Sequence, residues 1–213
     1  YANVIDEPVF KDNLGQDNLI FALKKTGAEN TIIVADEDGT FALEHNAIYS
    51  DNNKITLTRP ELMEFFMKME GKSNIKLGEK LNINQGIVSG YDEAFVFREY
   101  RDEFSKYLKP FYKNKDVRQY NVNIENEFWI LYLNKVQEID KKVLDYLEQY
   151  RGRLAKRREA ESGRIKWYEL QWGRNEEIFT LPKILARQRG VRHLFGYTDR
   201  PFYGSADIYY LIA

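Results

Sequence analysis

The turn sequence Asp-Glu-Asp-Gly at residues 36–39 joins two short apolar segments, TIIVA at 31–35 and TFALE at 40–44. Asp-Gly between apolar segments is a strong signal for a tight β-hairpin, because glycine reaches the left-handed conformations that such turns need. A further short segment, KITLT, follows at 54–58. Residues 30–57 are therefore predicted to form a small antiparallel strand unit.

The next segment, TRPELMEFFMKME at 58–70, is predicted to be a helix. Thr58 and Glu61 have the spacing of a capping box, and Pro60 suits the first helical turn. Its apolar residues recur at helical spacing and should form one face: Leu62, Phe65, Phe66 and Met69. This helix marks a boundary between the strand unit and the rest of the chain.

Residues 75–213 combine short strands with one long helix. Strands are predicted at 86–89, 94–97, 128–133, and in the tail segments KILARQ, VRHLFGY and DIYYLI. The spacing of apolar residues from Ile139 to Leu154 predicts a long helix over about residues 138–161. The fold class is α+β, in which a small antiparallel strand unit precedes a mixed β-sheet domain with one long helix.

The basic residues are concentrated late in the chain. Residues 151–200 hold 13 Lys and Arg against 6 Asp and Glu, although the whole chain has a net charge of -1. A local positive excess can neutralise phosphates even in a nearly neutral chain. A solvated helix face explains the same cluster.

The composition excludes several classes of protein and site. No apolar run approaches the roughly 20 residues of a membrane helix, so no membrane partner is expected. Without Cys there are no disulfides or thiolate metal sites, and a cytoplasmic location is expected. No metal site is predicted. With two histidines in the chain, a catalytic triad with a histidine base is not expected. GKS at 71–73 resembles the end of a phosphate-binding loop but lacks the first glycine of that motif.

Four segments, in this order, resemble the TaqI-like C-terminal specificity domain of bacterial adenine-specific DNA methyltransferases and of single-chain, type IIG restriction-modification enzymes. They are GIVSGYDEAFVF at 86–97, YLKPFYKNKDVRQY at 107–120, FWILYL at 128–133, and WYELQWGRNEEIFTLPKILARQRG at 167–190 followed by FYGSADIYYLI. Gly173 departs from the family pattern, in which Pro is expected. The resemblance covers about residues 75–213.

The resemblance implies a division of labour within a longer polypeptide. Residues 75–213 would be the DNA target-recognition domain, 58–74 a connecting helix, and 1–57 the tail of the catalytic domain or a small β subdomain. The parent would methylate an adenine with S-adenosylmethionine and possess a catalytic methyltransferase domain in cis. The chain lacks the family's Asn-Pro-Pro-aromatic loop and a Gly-rich cofactor turn, so neither catalytic residues nor a cofactor are expected in it.

The partner implied by the resemblance is double-stranded DNA, and the strongest candidates to read bases are Arg187, Gln188 and Arg189. Arginine can form paired hydrogen bonds with guanine, and glutamine with adenine. Strand alternation would place Arg187 and Arg189 on one face, unless the strand ends or bulges near Gly190. Salt bridges within the chain are the alternative.

Other residues are candidates for contacts with DNA that contribute less to the recognition of particular bases. The glycine-containing turn could bring backbone N–H groups to a phosphate, although a plain hairpin turn explains it almost as well. Trp167, Tyr168 and Trp172 are expected to be mostly core. The remaining candidates are as follows: Gly86, Ser89, Gly90 and Tyr91 in the turn; Arg157, Arg158, Arg164, Lys166 and Arg174 for phosphates; and Tyr203 at a polar tip.

Two other functions are open at this point. WYELQW at 167–172 and the basic helix could form a subunit interface, which would make the chain a protein-interaction or assembly domain without DNA specificity. Glu70 and Lys72 form an acid-x-Lys pair like half of a nuclease metal site, but no supporting acidic motif precedes them.

Overall fold

The computed structural model describes residues 2–5, 18–22, 31–48, 55–190 and 192–213. The chain divides into two units, Tyr1–Asn74 and Ile75–Ala213. Sheets and helices occur in both, and the predicted α+β class is confirmed. Within the described residues, no helix is long and apolar enough to span a membrane.

The first unit contains a sheet with strand order β2-β1-β3-β4. Its strands are β1 (Ala2–Ile5), β2 (Asn18–Phe21), β3 (Thr31–Asp36) and β4 (Gly39–Glu44). The predicted hairpin is confirmed: β3 pairs antiparallel with β4, and Gly39 has φ 120°. β1 runs parallel to β3, so the sheet is not purely antiparallel. Of the predicted KITLT strand, Lys54 lies outside the described residues, Ile55 forms a single bridge, and residues 56–58 are not strand.

Helix α1 (Pro60–Lys72) follows, with proline at its start as predicted. Among the described residues no side chain caps its first turn, so the capping box predicted for Thr58 and Glu61 is not formed. The apolar face predicted from the spacing exists, but it is exposed. Its side chains are between 48% and 56% exposed: Leu62, Phe65, Phe66 and Met69.

The second unit contains the remaining elements. Its helices are α2 (Leu77–Lys80), α3 (Asp92–Phe95), α4 (Lys141–Glu148), α5 (Arg151–Leu154), α6 (Arg158–Glu161) and α7 (Glu177–Thr180). Its strands are β5 (Asn82–Gln85), β6 (Val96–Phe97), β7 (Leu108–Tyr112), β8 (Phe128–Leu131), β9 (Lys183–Arg187), β10 (Phe195–Thr198), β11 (Tyr203–Gly204) and β12 (Ile208–Ile212). Short 3-10 turns occupy Asp102–Phe104 and Asn114–Asp116 in this unit, and His45–Ile48 in the first unit.

These strands form two sheets with orders β10-β9-β12-β5 and β11-β7-β8-β6. The first is antiparallel throughout, whereas the second includes the parallel pair β11 and β7, which makes the domain mixed. Ile87 bridges to Ser205 between them. Buried side chains from both sheets, such as Phe111, Ile130 and Tyr210, belong to one hydrophobic core.

The alternation of buried and exposed side chains explains why strands in the tail were predicted correctly. In β10 the pattern is exposed, buried, exposed, buried, and in β9 Leu185 is buried while Ile184 is exposed. Lys183 also lies on the buried face, where its ammonium donates to the carbonyl of Arg200 at 3.0 Å. Burial lowers the pKa of Lys183 to about 8, although nearby Asp199 opposes that shift.

Three sequence predictions within this unit are wrong in detail. The strand predicted at 86–89 is not formed: β5 ends at Gln85, and Ile87 and Val88 form only isolated bridges. Ala94 and Phe95, predicted to be strand, lie in α3, and the strand covers Val96–Phe97 alone. The helix predicted over residues 138–161 is interrupted and forms α4, α5 and α6. The apolar side chains of this segment belong to the core or pack against it on both sides of the breaks. Their spacing therefore did not indicate where the helix is interrupted.

Candidate nucleic-acid interface

A hollow of about 400 Å³ opens beside the end of β9. More of its lining surface is apolar than polar, and we call it the polar hollow after the seven polar side chains among those that line it. The polar ones are Ser89, Asp92, Lys113, Gln188, Arg189, Ser205 and Asp207, and the apolar ones are Ile87, Val88, Phe111 and Ala206. Four segments that are distant in sequence meet here, and three predicted site residues are among them: Ser89, Gln188 and Arg189.

Backbone hydrogen bonds position the two predicted base readers. β9 ends at Arg187, and the next residue, Gln188, donates its N–H to the carbonyl of Asp207 at 2.9 Å. The Gln188 amide donates to the Tyr209 hydroxyl at 3.2 Å. The carbonyl of Arg189 accepts from the Asn114 amide at 2.8 Å. Their main chain is thus fixed independently of what their exposed side chains bind.

Hydrogen bonds also order the opposite wall. The Ser89 hydroxyl is buried and donates to Asp92, whose other oxygen lies 3.3 Å from the Lys113 ammonium. Ser205 donates to Asp207 in the same way. Both oxygens of Asp92 are therefore engaged within the domain, whereas Asp207 accepts from Ser205 with one of its two oxygens.

The electrostatics of the polar hollow are mixed. Lys113 and Arg189 supply positive charge, and Asp92 and Asp207 supply negative charge. No carboxylate of the described residues forms an ion pair with the Arg189 guanidinium. Phosphate sites are built from donors, whereas base edges in the major groove present both donors and acceptors. This combination suits base edges better than phosphate.

The Arg187 side chain does not line the polar hollow, unlike those of Gln188 and Arg189. Its guanidinium donates to the carbonyls of Val117 at 2.8 Å and Lys115 at 3.1 Å. The strand ends at Arg187, so the predicted alternation does not continue, and Gln188 and Arg189 line the same hollow. In this structure Arg187 anchors the 115–117 segment to β9.

Arg157, predicted to contact phosphate, is bound to the protein's own backbone. Its guanidinium donates to the carbonyls of Leu154, Ser89, Trp167 and Glu169 at 2.8 to 3.1 Å. Burial lowers the pKa of Arg157, while nearby Glu159 raises it. A phosphate contact would require these hydrogen bonds to break, so we assign Arg157 a structural role.

The two predicted phosphate-loop glycines also have packing roles. Gly90 has φ 80°, and a Cβ there would lie 2.8 Å from the Arg157 guanidinium. A Cβ on Gly86 would lie 2.2 Å from the carbonyl oxygen of Ser205. Both positions therefore need glycine for close approach within the domain.

Arg174 is held by the same region. Its Nε donates to the carbonyl of Gly86 at 2.9 Å, and its Nη2 donates to the Gln85 side chain at 3.2 Å. Burial lowers the pKa of Arg174. Its guanidinium is therefore engaged in joining the 174 segment to the end of β5.

The two predicted tyrosines differ from expectation. Tyr203 is 3% exposed and donates to Glu176 at 2.6 Å, so the polar tip predicted there is buried. Burial, together with that hydrogen bond, raises the pKa of Tyr203. Tyr91 donates to Glu93, which raises the pKa of the Tyr91 hydroxyl, and the Arg153 guanidinium lies 4.3 Å from its ring.

The remaining predicted cations lie on the surface outside the polar hollow. Arg158 is 81% exposed and pairs with buried Glu159 at 3.0 Å. Burial opposes ionisation of Glu159 and is the largest single influence, but the hydrogen bond from Arg158, a backbone hydrogen bond and the charges of Arg158 and Arg164 together lower its pKa. Arg164 is exposed, and Lys166 donates to the Val136 carbonyl at 2.9 Å.

Arg164 and Arg174 line a second hollow, of about 670 Å³. Glu159, Glu169 and Glu176 line it too, so its walls are less suited to phosphate than a uniformly basic groove. Nearby, Trp167 and Tyr168 pack against the core as predicted, and Trp172 is 38% exposed.

Sequence reasoning missed the three other charged residues of the polar hollow, besides Arg189. Asp92 follows Tyr91 in a turn already singled out, Lys113 lies within the YLKPFYKNKDVRQY segment, and Asp207 lies within FYGSADIYYLI. Each stood within a segment that resembles the family. Only the topology shows that the three segments meet.

The described residues contain no group of three or more His, Asp and Glu side chains arranged to hold a metal ion. Glu70 and Lys72, the acid-x-Lys pair, are both exposed in the last turn of α1. Nothing in the described part of the chain adds a third ligand to them.

No family model matches the chain. Over 98% of its length the chain is similar to part of a solved structure of the type IIL restriction-modification enzyme MmeI in complex with DNA. The TM-score is 0.44 and the sequence identity 13%, and the chain spans 29% of the length of that protein. A TM-score of this size does not by itself establish a shared function.

Proposed function

We propose that residues 75–213 recognise specific sequences in double-stranded DNA, as the target-recognition domain of an adenine-specific methyltransferase or restriction-modification enzyme. The observation that carries the proposal is the polar hollow, where Gln188 and Arg189 stand beside Asp92 and Asp207. Together these side chains complement the hydrogen-bonding edges of adenine, guanine and cytosine. The sequence resemblance of the same segments to specificity domains supports it.

The division of labour follows from the same resemblance. A catalytic domain in cis, with bound S-adenosylmethionine, would transfer the methyl group in the cytoplasm, and this domain would select the site. Residues 58–74 would be the connecting helix, and residues 1–57 the tail of the catalytic domain or a small β subdomain. Phosphate contacts fix the register of such a domain on DNA without carrying base information directly. Exposed Arg158, Arg164 and Lys166 are the candidates for that role.

The test is selection from a random duplex library with the whole chain, followed by sequencing. Wild-type protein should enrich a short motif. Arg189→Ala and Gln188→Ala should each relax one or two positions of that motif, because each paired contact discriminates by about 1–3 kcal/mol.

Arg158→Ala is the matched control, since it removes an exposed arginine outside the polar hollow. It should weaken binding to all sequences alike and leave the motif unchanged. Enrichment of no motif by the wild type would contradict the proposal. So would an unchanged motif in both Gln188→Ala and Arg189→Ala.

A second candidate function, protein assembly, is favoured by one observation: the exposed apolar face of α1. WYELQW, the segment first considered for an interface, is mostly packed into the domain, with Leu170 1% exposed. A concentration-dependent oligomer that Phe65→Ser abolishes, without any DNA binding, would favour assembly over DNA recognition.

A further inference from the structure

Three exposed aromatic side chains occur where a tight turn meets the outermost strand of the β10-β9-β12-β5 sheet. Tyr120 is 81% exposed, Tyr197 57% and Phe195 47%. Tyr120 bridges through its backbone to Gly196, the residue between the other two. We call these three residues the aromatic edge. Clustered exposed rings of this size mark an interaction surface more often than isolated ones do.

The turn holds Tyr120 in a backbone conformation that favours glycine. Its φ is 70°, its N–H donates to the carbonyl of Phe195 at 2.7 Å, and its carbonyl accepts from the N–H of Tyr197 at 3.3 Å. A Cβ on Gly196 would lie 2.2 Å from the carbonyl oxygen of Asn121, so glycine there allows the close contact. The backbone is fixed while the ring stays in solvent.

This arrangement is strained without an evident gain in packing. A residue with a Cβ is disfavoured at this φ, and the exposed ring contributes little to the core. Backbone strain that persists at an exposed side chain suggests that the side chain serves a contact outside the chain.

Two arginines without an ion pair among the described residues lie close in sequence to the aromatic edge. Arg118 lies in the same turn, and Arg192 precedes Phe195 by three residues; both are exposed. No carboxylate of the described residues forms an ion pair with either guanidinium. Exposed Asp199 is outnumbered by these arginines. Rings beside free guanidinium groups suit a ligand with flat bases and phosphates. A protein partner is the alternative, since aromatic residues and arginine are also enriched at protein interfaces.

We propose that the aromatic edge stacks against an unstacked base of the DNA whose sequence the polar hollow reads. The two sites share one connection: the β9–β10 loop carries Gln188 and Arg189 at its start and leads into Phe195. The inference rests on the proposed function. The inference adds a stacking contact to the recognition of bases by hydrogen bonds. Stacking on an aromatic ring is tolerant of base identity.

The experiment measures binding of the whole chain to two duplexes of one sequence, one fully paired and one with a single bulged adenine. Wild-type protein should prefer the bulged duplex by about fivefold to a hundredfold, which is the range that loss of one base–aromatic stack produces. Tyr120→Ala should lose the preference, and Tyr120→Phe should keep it because the ring remains. The preference should change little with salt, although both affinities fall.

Two variants separate binding from folding. Tyr120→Gly removes the ring and suits the turn, so it should lose the preference for the bulge while its Tm is unchanged or higher. Tyr100→Ala is the matched control, because Tyr100 is an exposed tyrosine, 46% exposed, in another part of the domain. It should keep the preference.

The outcomes distinguish this inference from the proposed function. If the wild type selects a DNA motif but Tyr120→Ala keeps the bulge preference, or no preference exists, stacking by the aromatic edge is wrong and the proposed function stands. If the chain binds no DNA, both fail. If Tyr120→Ala instead abolishes self-association and leaves DNA binding intact, the surface binds protein and the inference is overturned.

Discussion

Arg157 should stabilise the fold rather than attach it to DNA. Its guanidinium serves four backbone carbonyls from three separate segments. At a net contribution of about 1 kcal/mol per hydrogen bond, Arg157→Ala should lower the free energy of unfolding by about 4 kcal/mol. For a chain of this size the Tm should fall by roughly 8–16 °C, as measured by circular dichroism during heating.

Lys156→Ala is the control for this prediction. It removes a neighbouring exposed cation and should change the free energy of unfolding by less than about 0.5 kcal/mol. Arg157→Lys should recover little, because one ammonium cannot reach four carbonyls in the geometry of the guanidinium. If Arg157→Ala melts like the wild type and instead weakens binding to all DNA sequences equally, the structural role is wrong and the phosphate contact is right.

Other substitutions test further contacts of the same domain. Gly90→Ala should lower the free energy of unfolding by about 1–3 kcal/mol in urea titrations, since its Cβ would crowd Gln171 and alanine is strained at φ 80°; an unchanged midpoint would contradict the crowding. Tyr203→Phe should cost about 1 kcal/mol through loss of the hydrogen bond to Glu176, without altering any selected DNA motif. Lys183 binds its proton less tightly in the folded protein than in the unfolded chain, so the wild type should gain about 2 kcal/mol of stability between pH 8 and 10 relative to Lys183→Met. Parallel pH profiles of the two proteins would refute this.

Local features of the fold could be predicted from sequence because their causes are local. The hairpin at Asp38 and Gly39 depends on one turn, β10 on alternation within four residues, and β12 on a short continuous apolar run. The break between α5 and α6 has a distant cause. There Arg157 is extended and reaches carbonyls of residues 89, 167 and 169, which its own segment cannot reveal.

For the candidate site, too, the sequence predicted only what has a local cause. Gln188 and Arg189 were found because a strand end next to glycine leaves long side chains free. Asp92, Lys113 and Asp207 were missed, since they join the polar hollow only after three segments from different sheets and turns meet. For α1, the spacing identified the apolar face correctly, but spacing contains no information on whether anything covers it.

The turn that carries Tyr120 also affects how this protein meets other copies of itself. β10 is the last strand of its sheet, and an open strand edge is a template for pairing with a foreign strand, which leads to aggregation. Tyr120 occupies the carbonyl of Phe195 and the N–H of Tyr197, two positions that such a strand would use. The turn therefore blocks edge-to-edge association along this side of the domain. A variant that deletes residues 118–121 would leave those groups open and favour insoluble assemblies.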